Sequence, residues 1–400
     1  MMKNTKKVFS LLLSAAMVLG MSVSSFADSG LTIGSSNENT VEEGLFIASN
    51  PVPEKAAEYA IKIFESLTPE DMSILGIGQN MDAIRLAHGF TVENTEIPQY
   101  YFPVLEDNTV VGILMVNDHA DSYGFQLGTS DFSENLNILE TDSQNPAQIV
   151  ASENAYYSMD KNGVEVLKTL PEISSEILED EMNEVKNAAD TFAEKEVINI
   201  SSNNVYDATI KEFVPYTLMG KKHTVAYVDN WTYTEGDVLH GTCWASCVGS
   251  LVDFYQDGKS NASTADSYRT KANNEQKKNT GSYSATSSEA TKYINKYSDS
   301  SISYRTEVPN WATIKSTLLN KTIPSGQKGM PFYSQWDGFS GKSFHAMVVS
   351  GYRYEDTKPN DESYYSVYLM DPNEETPQLL QYRDSYTING KLYSWEGSAR

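Results

Sequence analysis

The stretch that decides how this 400-residue chain folds is His240-Gly-Thr-Cys243-Trp-Ala-Ser-Cys247-Val-Gly-Ser-Leu-Val-Asp-Phe-Tyr255, which holds both cysteines of the chain. From Trp244 onward, apolar residues recur with the three- and four-residue spacing of a helix. Only a narrow stripe of serine and aspartate is polar, so the pattern predicts a helix that is surrounded by protein. Thr242 is the predicted N-cap. The Cys243 thiol would then lie at the positive end of the helix, where proteins place reactive thiols.

The first 27 residues have the features of a secretory signal peptide. Lys3, Lys6 and Lys7 precede an apolar run that extends to about Met21, and residues 25–27 include small side chains suited to cleavage. The apolar run is interrupted by serines and is shorter than a membrane-spanning helix, and no later segment is apolar enough to span a membrane. We therefore expect a secreted protein whose mature form has no membrane span.

Charge divides the rest of the chain into two regions. Residues 28–200 carry a net charge of −25, whereas residues 201–400 carry only −2. This difference predicts two domains, and the overall acidity argues against nucleic acid or an anionic membrane as a partner. The expected organisation is a signal peptide over 1–27, an acidic N-terminal domain over 28–200, an aperiodic linker over 201–211 and a second domain over 212–400.

The apolar patterns predict a mixture of helices and strands in both regions. The elements predicted in the first region are a helix over 51–67, a hairpin of 100–105 with 110–116, strands over 123–127 and 155–159, and a helix over 172–195. Those predicted in the second region are a strand over 224–228, the cysteine helix, a polar surface excursion over 261–288, helices over 287–297 and 311–319, and strands over 330–333, 343–354, 364–370 and 392–395. Helices followed by strands indicate an α+β fold.

Two further residues supply what a thiol nucleophile needs. His345 stands at the head of an apolar strand, and Asp371 ends a later strand where Pro372 stops the ladder. Each alone has an ordinary structural explanation, as a satisfied core histidine or as turn chemistry. Together with Cys243 they form the set of nucleophile, general base and orienting group. No metal-ligand cluster is recognisable, and neither a metal nor a cofactor is expected.

Cys243-Trp-Ala at a helix start, His345-Ala on a strand and Asp371 after the next strand resemble the papain-like cysteine peptidases. The likeness extends over roughly residues 205–400 and is closer to the bacterial branches related to bacteriocin-leader peptidases, staphopain and streptopain. It implies an α+β fold in which a helical part packs on an antiparallel β part, preceded by an α+β pro-domain. It also implies a zymogen in which residues 28–200 act as an intramolecular inhibitor, and a protein or peptide substrate.

The resemblance also implies roles for individual residues. Cys243 would be the nucleophile, and His345 would form an ion pair with it and then protonate the leaving amine. Either Asp371 or Asn373 would orient the imidazole. We favour Asp371, because the bacteriocin-leader peptidases end this strand with Asp-Pro.

The sequence departs from the family at the oxyanion hole. The family places a glutamine six residues before the nucleophile, where this chain has Asp237. An ionised aspartate cannot donate a hydrogen bond, and the loss of one such donor costs about 3–4 kcal/mol of transition-state stabilisation. Three alternatives follow: another group such as His240 or Asn230 substitutes, the enzyme is slow, or the domain is a non-catalytic relative.

The remaining cysteine and two histidines have structural interpretations. Cys247 lies one turn after Cys243 on the same helix, where a disulfide would require unwinding, so we predict a small core residue. His88 and His119 in the first region have no recognisable partners in the sequence, and both are predicted to be structural or exposed.

The leading hypothesis from the sequence is a secreted cysteine peptidase that is made as a zymogen and acts through an acyl-enzyme. One alternative is a hydrolase of cell-wall peptides or small amides with the same fold. Another is a non-catalytic surface binding protein built on a degenerate peptidase fold, for which the 25 tyrosines would be suitable.

Overall fold

The computed structural model describes residues 43–400 except 79, 130, 170–172, 174, 188–194, 211–217, 236–237 and 339–343. The predicted signal peptide, the last residue of the predicted linker and Asp237 lie outside this part of the chain. The described residues belong to one compact unit. We call residues 43–210 the first half and residues 218–400 the second half.

The first half contains four helices and eleven strands among its described residues. The helices are α1 (Glu54–Glu65), α2 (Pro69–Leu75), α3 (Asp131–Leu136) and α4 (Ser175–Asn187). The strands are β1 (Glu43–Ser49), β2 (Ile84–Leu86), β3 (Phe90–Thr91), β4 (Gln99–Glu106), β5 (Thr109–Asp118), β6 (Tyr123–Gly128), β7 (Thr141–Asp142), β8 (Gln148–Ala151), β9 (Ala155–Met159), β10 (Val164–Thr169) and β11 (Glu196–Ile200). The predicted helix over 51–67, the hairpin and the strands at β6 and β9 are confirmed. The helix predicted over 172–195 is described only over α4.

The second half contains the predicted cysteine helix. Its helices are α5 (Cys243–Asp257), α6 (Ala262–Thr280), α7 (Ser287–Ser298) and α8 (Trp311–Asn320). Its strands are β12 (Leu218–Lys222), β13 (Thr232–Glu235), β14 (Val238–Gly241), β15 (Tyr304–Arg305), β16 (Phe332–Gly338), β17 (Phe344–Glu355), β18 (Ser366–Met370), β19 (Gln378–Gln381), β20 (Tyr386–Ile388) and β21 (Lys391–Ala399). Among the described helices, none combines the length and the apolar character that a membrane crossing requires.

The strand predicted over 224–228 is wrong. Val225 and Val228 are buried as the apolar pattern suggested, but the segment has no regular structure. The ladder between β12 and β17 ends nearby, with a last hydrogen bond from the His223 N–H to the Ser350 carbonyl (2.9 Å). Alternating apolar residues indicate only that a segment is buried. To form a strand, the segment also needs a neighbouring strand whose backbone groups are free to pair with it.

The segment predicted as a polar surface excursion over 261–288 lies mostly at the surface, but its helical conformation was not predicted, since most of it forms the helix α6. The Asn261 side chain caps its N-terminus by accepting the Thr264 N–H (3.1 Å), and Gly281 ends it in the left-handed conformation. The buried face of α6 consists of alanines and amides rather than large apolar residues, so it carries little hydrophobic periodicity. α5 approaches it closely at Gly249, where a Cβ atom would lie 2.3 Å from the Ala265 carbonyl oxygen.

One antiparallel sheet runs through both halves of the chain. Its strands follow the order β15-β21-β16-β17-β18-β19-β6-β5-β4-β2, with β12 on β17, β20 on β21 and β3 on β4. Residues of α5, α7 and α8 share one apolar core with residues of β16, β17 and β18. Helices packed on antiparallel strands make this an α+β protein, as predicted.

The two halves meet where β6 pairs with β19, through Leu127 and Leu379. The predicted division into a domain over 28–200 and another over 212–400 stays a prediction, but this pairing makes the sheet continuous across the proposed boundary. The described linker residues also pack on the first half. Tyr206 donates its N–H to the Leu86 carbonyl (2.9 Å) and stacks on His88 at 4.4 Å.

A buried ion pair joins the two halves beside this strand pairing. Asp71 of α2 accepts a hydrogen bond from Arg353 Nη1 of β17 (2.6 Å), and both side chains are at most 8% exposed. Tyr368 and Thr68 also donate to the Asp71 carboxylate. Burial acts against the charge of Asp71, but Arg353 and these donors hold the pKa of Asp71 below its usual value. Separation or neutralisation of this pair should therefore destabilise the whole fold.

We predict that Asp71→Asn lowers the free energy of unfolding by about 3–5 kcal/mol, because it removes a buried carboxylate that stabilises the buried charge of Arg353. Urea unfolding followed by circular dichroism measures this change. The matched control is Glu362→Ala, which removes a pair with Arg383 in which both side chains are more than half exposed. Its effect should stay below about 0.5 kcal/mol. Equal effects of the two substitutions would contradict a structural role for the buried pair.

Candidate active site

Cys243 is the first residue of α5, as predicted. Thr242 occupies the N-cap position, but the prediction that its side chain caps the helix is wrong. Its hydroxyl instead donates to the Trp231 carbonyl (2.7 Å). Among the described residues, none accepts a hydrogen bond from the Cys243 backbone N–H. The thiol therefore lies at a helix end whose first N–H is free to bind a negative charge.

His345 is the second residue of β17, held between β16 and β18. It pairs with Trp336 of β16 in the ladder, and it is 5% exposed. Its Nε2 lies 2.6 Å from Asp371 Oδ1, and its side chain also interacts with Cys243. Burial acts to lower the pKa of His345, but Asp371 and Cys243 outweigh burial and hold this pKa well above its usual value. The imidazole is therefore stabilised in its charged form between a carboxylate and a thiol.

Asp371 follows directly after β18 and is 1% exposed. Besides His345, its Oδ1 accepts the Asn373 backbone N–H (2.8 Å). Burial acts to raise the pKa of Asp371, but the interaction with His345 and these hydrogen bonds keep this pKa below its usual value. The carboxylate is thus held ionised where it can fix the orientation of the imidazole.

The structure separates the two predicted orienting groups. Asp371 contacts His345, whereas the side-chain oxygen of Asn373 accepts a hydrogen bond from Asn230 Nδ2 (2.9 Å). Asn230 also donates its backbone N–H to the Pro372 carbonyl (3.0 Å). Asn230 and Asn373 therefore brace the turn that carries Asp371.

The predicted oxyanion residues are described only in part. Asp237 lies outside the described residues. His240 pairs with Tyr233 in the hairpin of β13 and β14, and its side chain is likewise outside the described part of the chain. The groups that accompany the Cys243 N–H around an oxyanion stay a prediction.

Cys247 lies one turn further along α5, and both cysteines are free thiols. It is 1% exposed, and burial, followed by the interactions with Cys243 and Asp371, raises the pKa of Cys247 well above its usual value. A thiol held in its neutral form is a poor nucleophile. This agrees with the expectation that Cys247 is a core residue.

All three members of the site are buried. Cys243 is 4% exposed, His345 5% and Asp371 1%. Solvent therefore has little access to the Cys243 thiol in the conformation described, and we call this conformation closed.

Several residues that lie near Asp371 are not indicated by any motif in the sequence. The fully buried hydroxyl of Tyr386 in β20 faces its carboxylate. Glu374, three residues further on, pairs with Lys168 of β10. Burial raises the pKa of Glu374 to about 7, against the opposing effect of Lys168. The hairpin that carries Tyr386 does have a signal in the sequence. Asn389-Gly390 lies between two runs of residues that favour strands, which is typical of a two-residue hairpin turn.

The two histidines of the first half also have partners. His88 stacks on Tyr206, and His119 Nε2 lies 2.6 Å from Asp384 Oδ1 in the second half. Both contacts are between residues distant in the chain. Within the described residues, no group of three or more His, Cys, Asp or Glu side chains is arranged to hold a metal ion.

No protein-family model matches this chain, and comparison with curated proteins finds no relative. The likeness to papain-like peptidases therefore depends on the motif residues and on the geometry of Cys243, His345 and Asp371.

We predict that His345 and His223 titrate on opposite sides of the ordinary histidine pKa of about 6.5. The pKa of His345 is raised, whereas burial lowers the pKa of His223, whose Nε2 lies 2.8 Å from the Leu318 carbonyl. Nitrogen-15 NMR of histidine-labelled protein measures both, since the chain has five histidines. Asp371→Asn should lower the His345 midpoint and leave His223 unchanged. A His345 midpoint that Asp371→Asn does not move would refute this electrostatic coupling.

The raised pKa of His345 and the lowered pKa of Asp371 determine how the stability of the fold depends on pH. Because the folded pKa of His345 is raised, its contribution is complete below about pH 6.5 and is lost as the pH rises through the folded value. Because the pKa of Asp371 is lowered, its contribution is present above about pH 4 and is lost as the pH falls through the folded value. The pair therefore stabilises the fold most between these two limits.

Proposed function

We propose that this protein is a secreted cysteine peptidase of the papain-like type, made as a zymogen, that hydrolyses peptide bonds through an acyl-enzyme. The observation that carries the proposal is the position of the His345 imidazole, which hydrogen-bonds Asp371 and also interacts with Cys243. Nucleophile, base and orienting group occur here in the order of contact that thiol catalysis requires.

The chemistry assigned to these residues has two stages. In the first, the Cys243 thiolate attacks the carbonyl carbon of the peptide bond, and the oxyanion forms next to the Cys243 N–H. The His345 imidazolium then donates its proton to the leaving amine, and the thioester remains. In the second stage, neutral His345 takes a proton from water, whose oxygen attacks the thioester. The tetrahedral intermediate that forms then collapses, which releases the carboxylic acid product and restores the thiolate–imidazolium pair.

Asp371 has an electrostatic and geometric part in both stages. Its carboxylate accepts a hydrogen bond from the His345 Nε2–H, so the other ring nitrogen is left to interact with the thiol. Its negative charge stabilises the imidazolium that forms the pair with Cys243. This arrangement favours peptide-bond hydrolysis over a role as a binding protein, for which a buried thiol, imidazole and carboxylate in contact are not needed.

The closed site is consistent with a zymogen, because Cys243 and His345 are both almost fully buried. The role of residues 28–200 as an intramolecular inhibitor stays a prediction. Mass spectrometry of the secreted protein tests this role, since it reports the N-terminus of the active form. Full activity of a form that begins at residue 28 would contradict inhibition by this region.

We predict that Cys243→Ala lowers kcat/KM for casein or peptide substrates by about 10⁴-fold or more, because it removes the nucleophile. Cys247→Ala is the matched control, since it removes a buried thiol from the next turn of the same helix. This control should retain activity within a few fold and lose only stability. Iodoacetamide should inactivate the wild-type enzyme and the Cys247→Ala variant alike.

The outcomes distinguish the proposed peptidase from its alternatives. If the protein hydrolyses small amides or cell-wall peptides but no proteins, the thiol mechanism stands and the proposed protein substrate is wrong. A protein that hydrolyses none of these substrates, and whose Cys243→Ala variant behaves as wild type in every respect, is not an enzyme of this kind.

A further inference from the structure

The two carboxylate oxygens of Asp371 have different surroundings. Oδ1 accepts hydrogen bonds from His345 and from the Asn373 N–H. Oδ2 is buried as well, but it receives no hydrogen bond of good geometry from any group that the structure describes. A buried charged oxygen without a donor costs free energy. A nearby donor for Oδ2 would therefore matter to how Asp371 is held.

The Tyr386 hydroxyl is a second buried polar group close to this carboxylate. It is buried too, and among the described groups it has no hydrogen bond of good geometry. The two groups interact with each other: the Tyr386 hydroxyl helps to lower the pKa of Asp371, and the pKa of Tyr386 is raised by burial and then by Asp371. The Tyr386 hydroxyl is therefore a suitable donor for Asp371 Oδ2, and Oδ2 is a suitable acceptor for the hydroxyl.

We propose, on the basis of the proposed peptidase function, that Tyr386 is a positioning residue whose hydroxyl donates to Asp371 Oδ2 and so fixes the carboxylate that orients His345. The Oδ1 atom alone would leave the carboxylate free to rotate about its Cβ–Cγ bond. A second donor, on the opposite oxygen, sets that rotation and keeps Oδ1 directed at the imidazole.

The packing around β20 holds the Tyr386 ring in place. Tyr386 pairs with Tyr393 across the hairpin of β20 and β21, and its ring lies 6.1 Å from that of Trp336. Trp336 is the ladder partner of His345, and the Tyr393 ring lies 6.4 Å from the imidazole. The hairpin therefore contacts both members of the His345–Asp371 pair.

The first half of the chain fixes the same hairpin through hydrogen bonds. The Thr387 N–H donates to Gln126 Oε1 (2.9 Å), and Gln99 Nε2 donates to the Thr387 hydroxyl (3.1 Å). The Gly390 N–H donates to the Tyr156 hydroxyl (2.8 Å). These contacts make residues of the first half part of the support for Tyr386, and through it for Asp371.

Tyr386→Phe tests the proposal, because it removes the hydroxyl and keeps the ring. Loss of the donor makes Asp371 more basic, so the acid limb of the kcat/KM profile should move to higher pH by up to about one unit. The value of kcat should fall about 10-fold with little change in KM, since orientation of the base acts on the chemical step. The charged groups that face Asp371 and could alter this limb are His345, Glu374 and, through Glu374, Lys168.

The matched control is Tyr382→Phe. The Tyr382 hydroxyl is buried and donates to the Pro309 carbonyl (2.8 Å), without contact to Asp371. Both variants lose one buried hydroxyl, so both should lose stability, but only Tyr386→Phe should move the acid limb. Equal pH profiles for the two variants would overturn the positioning role. Gln126→Leu removes the acceptor of the Thr387 N–H in β20. It should move the acid limb in the same direction as Tyr386→Phe, by a smaller amount. If the limb does not move, the first half does not support Tyr386 in the way proposed.

The His345 titration by nitrogen-15 NMR separates this proposal from the proposed function. A more basic Asp371 stabilises the imidazolium, so Tyr386→Phe should raise the His345 midpoint whether or not a substrate has been found. An unchanged midpoint overturns the positioning role of Tyr386. A wild-type protein that hydrolyses no substrate, with a midpoint that does move, overturns the peptidase proposal and leaves the Tyr386–Asp371 contact established.

Discussion

The arrangement of the candidate site depends on a single buried contact, between His345 Nε2 and Asp371 Oδ1 at 2.6 Å. Burial of two charged groups is costly, and their attraction offsets that cost only when the geometry is close and the remaining polar atoms have partners. Here the Asn373 N–H supplies a second donor to Asp371, and Cys243 interacts with the imidazole on the other side. Asp371 and His345 each favour the charged form of the other, so loss of either one alters its partner.

The backbone of the second half explains how three residues from distant parts of the chain meet. α5 packs against β17 with a face that is apolar along its whole length, so its N-terminus is fixed relative to the strand that carries His345. β17 and β18 are neighbours in the sheet, and Asp371 follows the last residue of β18. The site is therefore built at the junction of one helix end with the ends of two paired strands.

The first half is joined to the second half, near this site, by a strand pairing and by two ion pairs. β6 extends the sheet from β19, Asp71 is buried against Arg353, and Lys168 pairs with Glu374 three residues after Asp371. A region that acts only as a removable inhibitor has no need to contact the side of the site that faces away from the thiol. These contacts give the first half a structural part in the site.

The sequence alone determined the cysteine helix, the long strands and the residues that could serve as nucleophile, base and orienting group. It could do so because apolar periodicity and residue chemistry are local properties. It failed where local signals mislead: α6 is buried through alanines and amides, residues 224–228 are apolar but have no partner strand, and Thr242 turns its hydroxyl away from the helix. The contact of His345 with Asp371 rather than with Asn373 and the burial of Cys243 and His345 follow only from the tertiary structure. Each depends on distances between residues far apart in the chain, and these are fixed by strand pairing and packing rather than by the order of the residues.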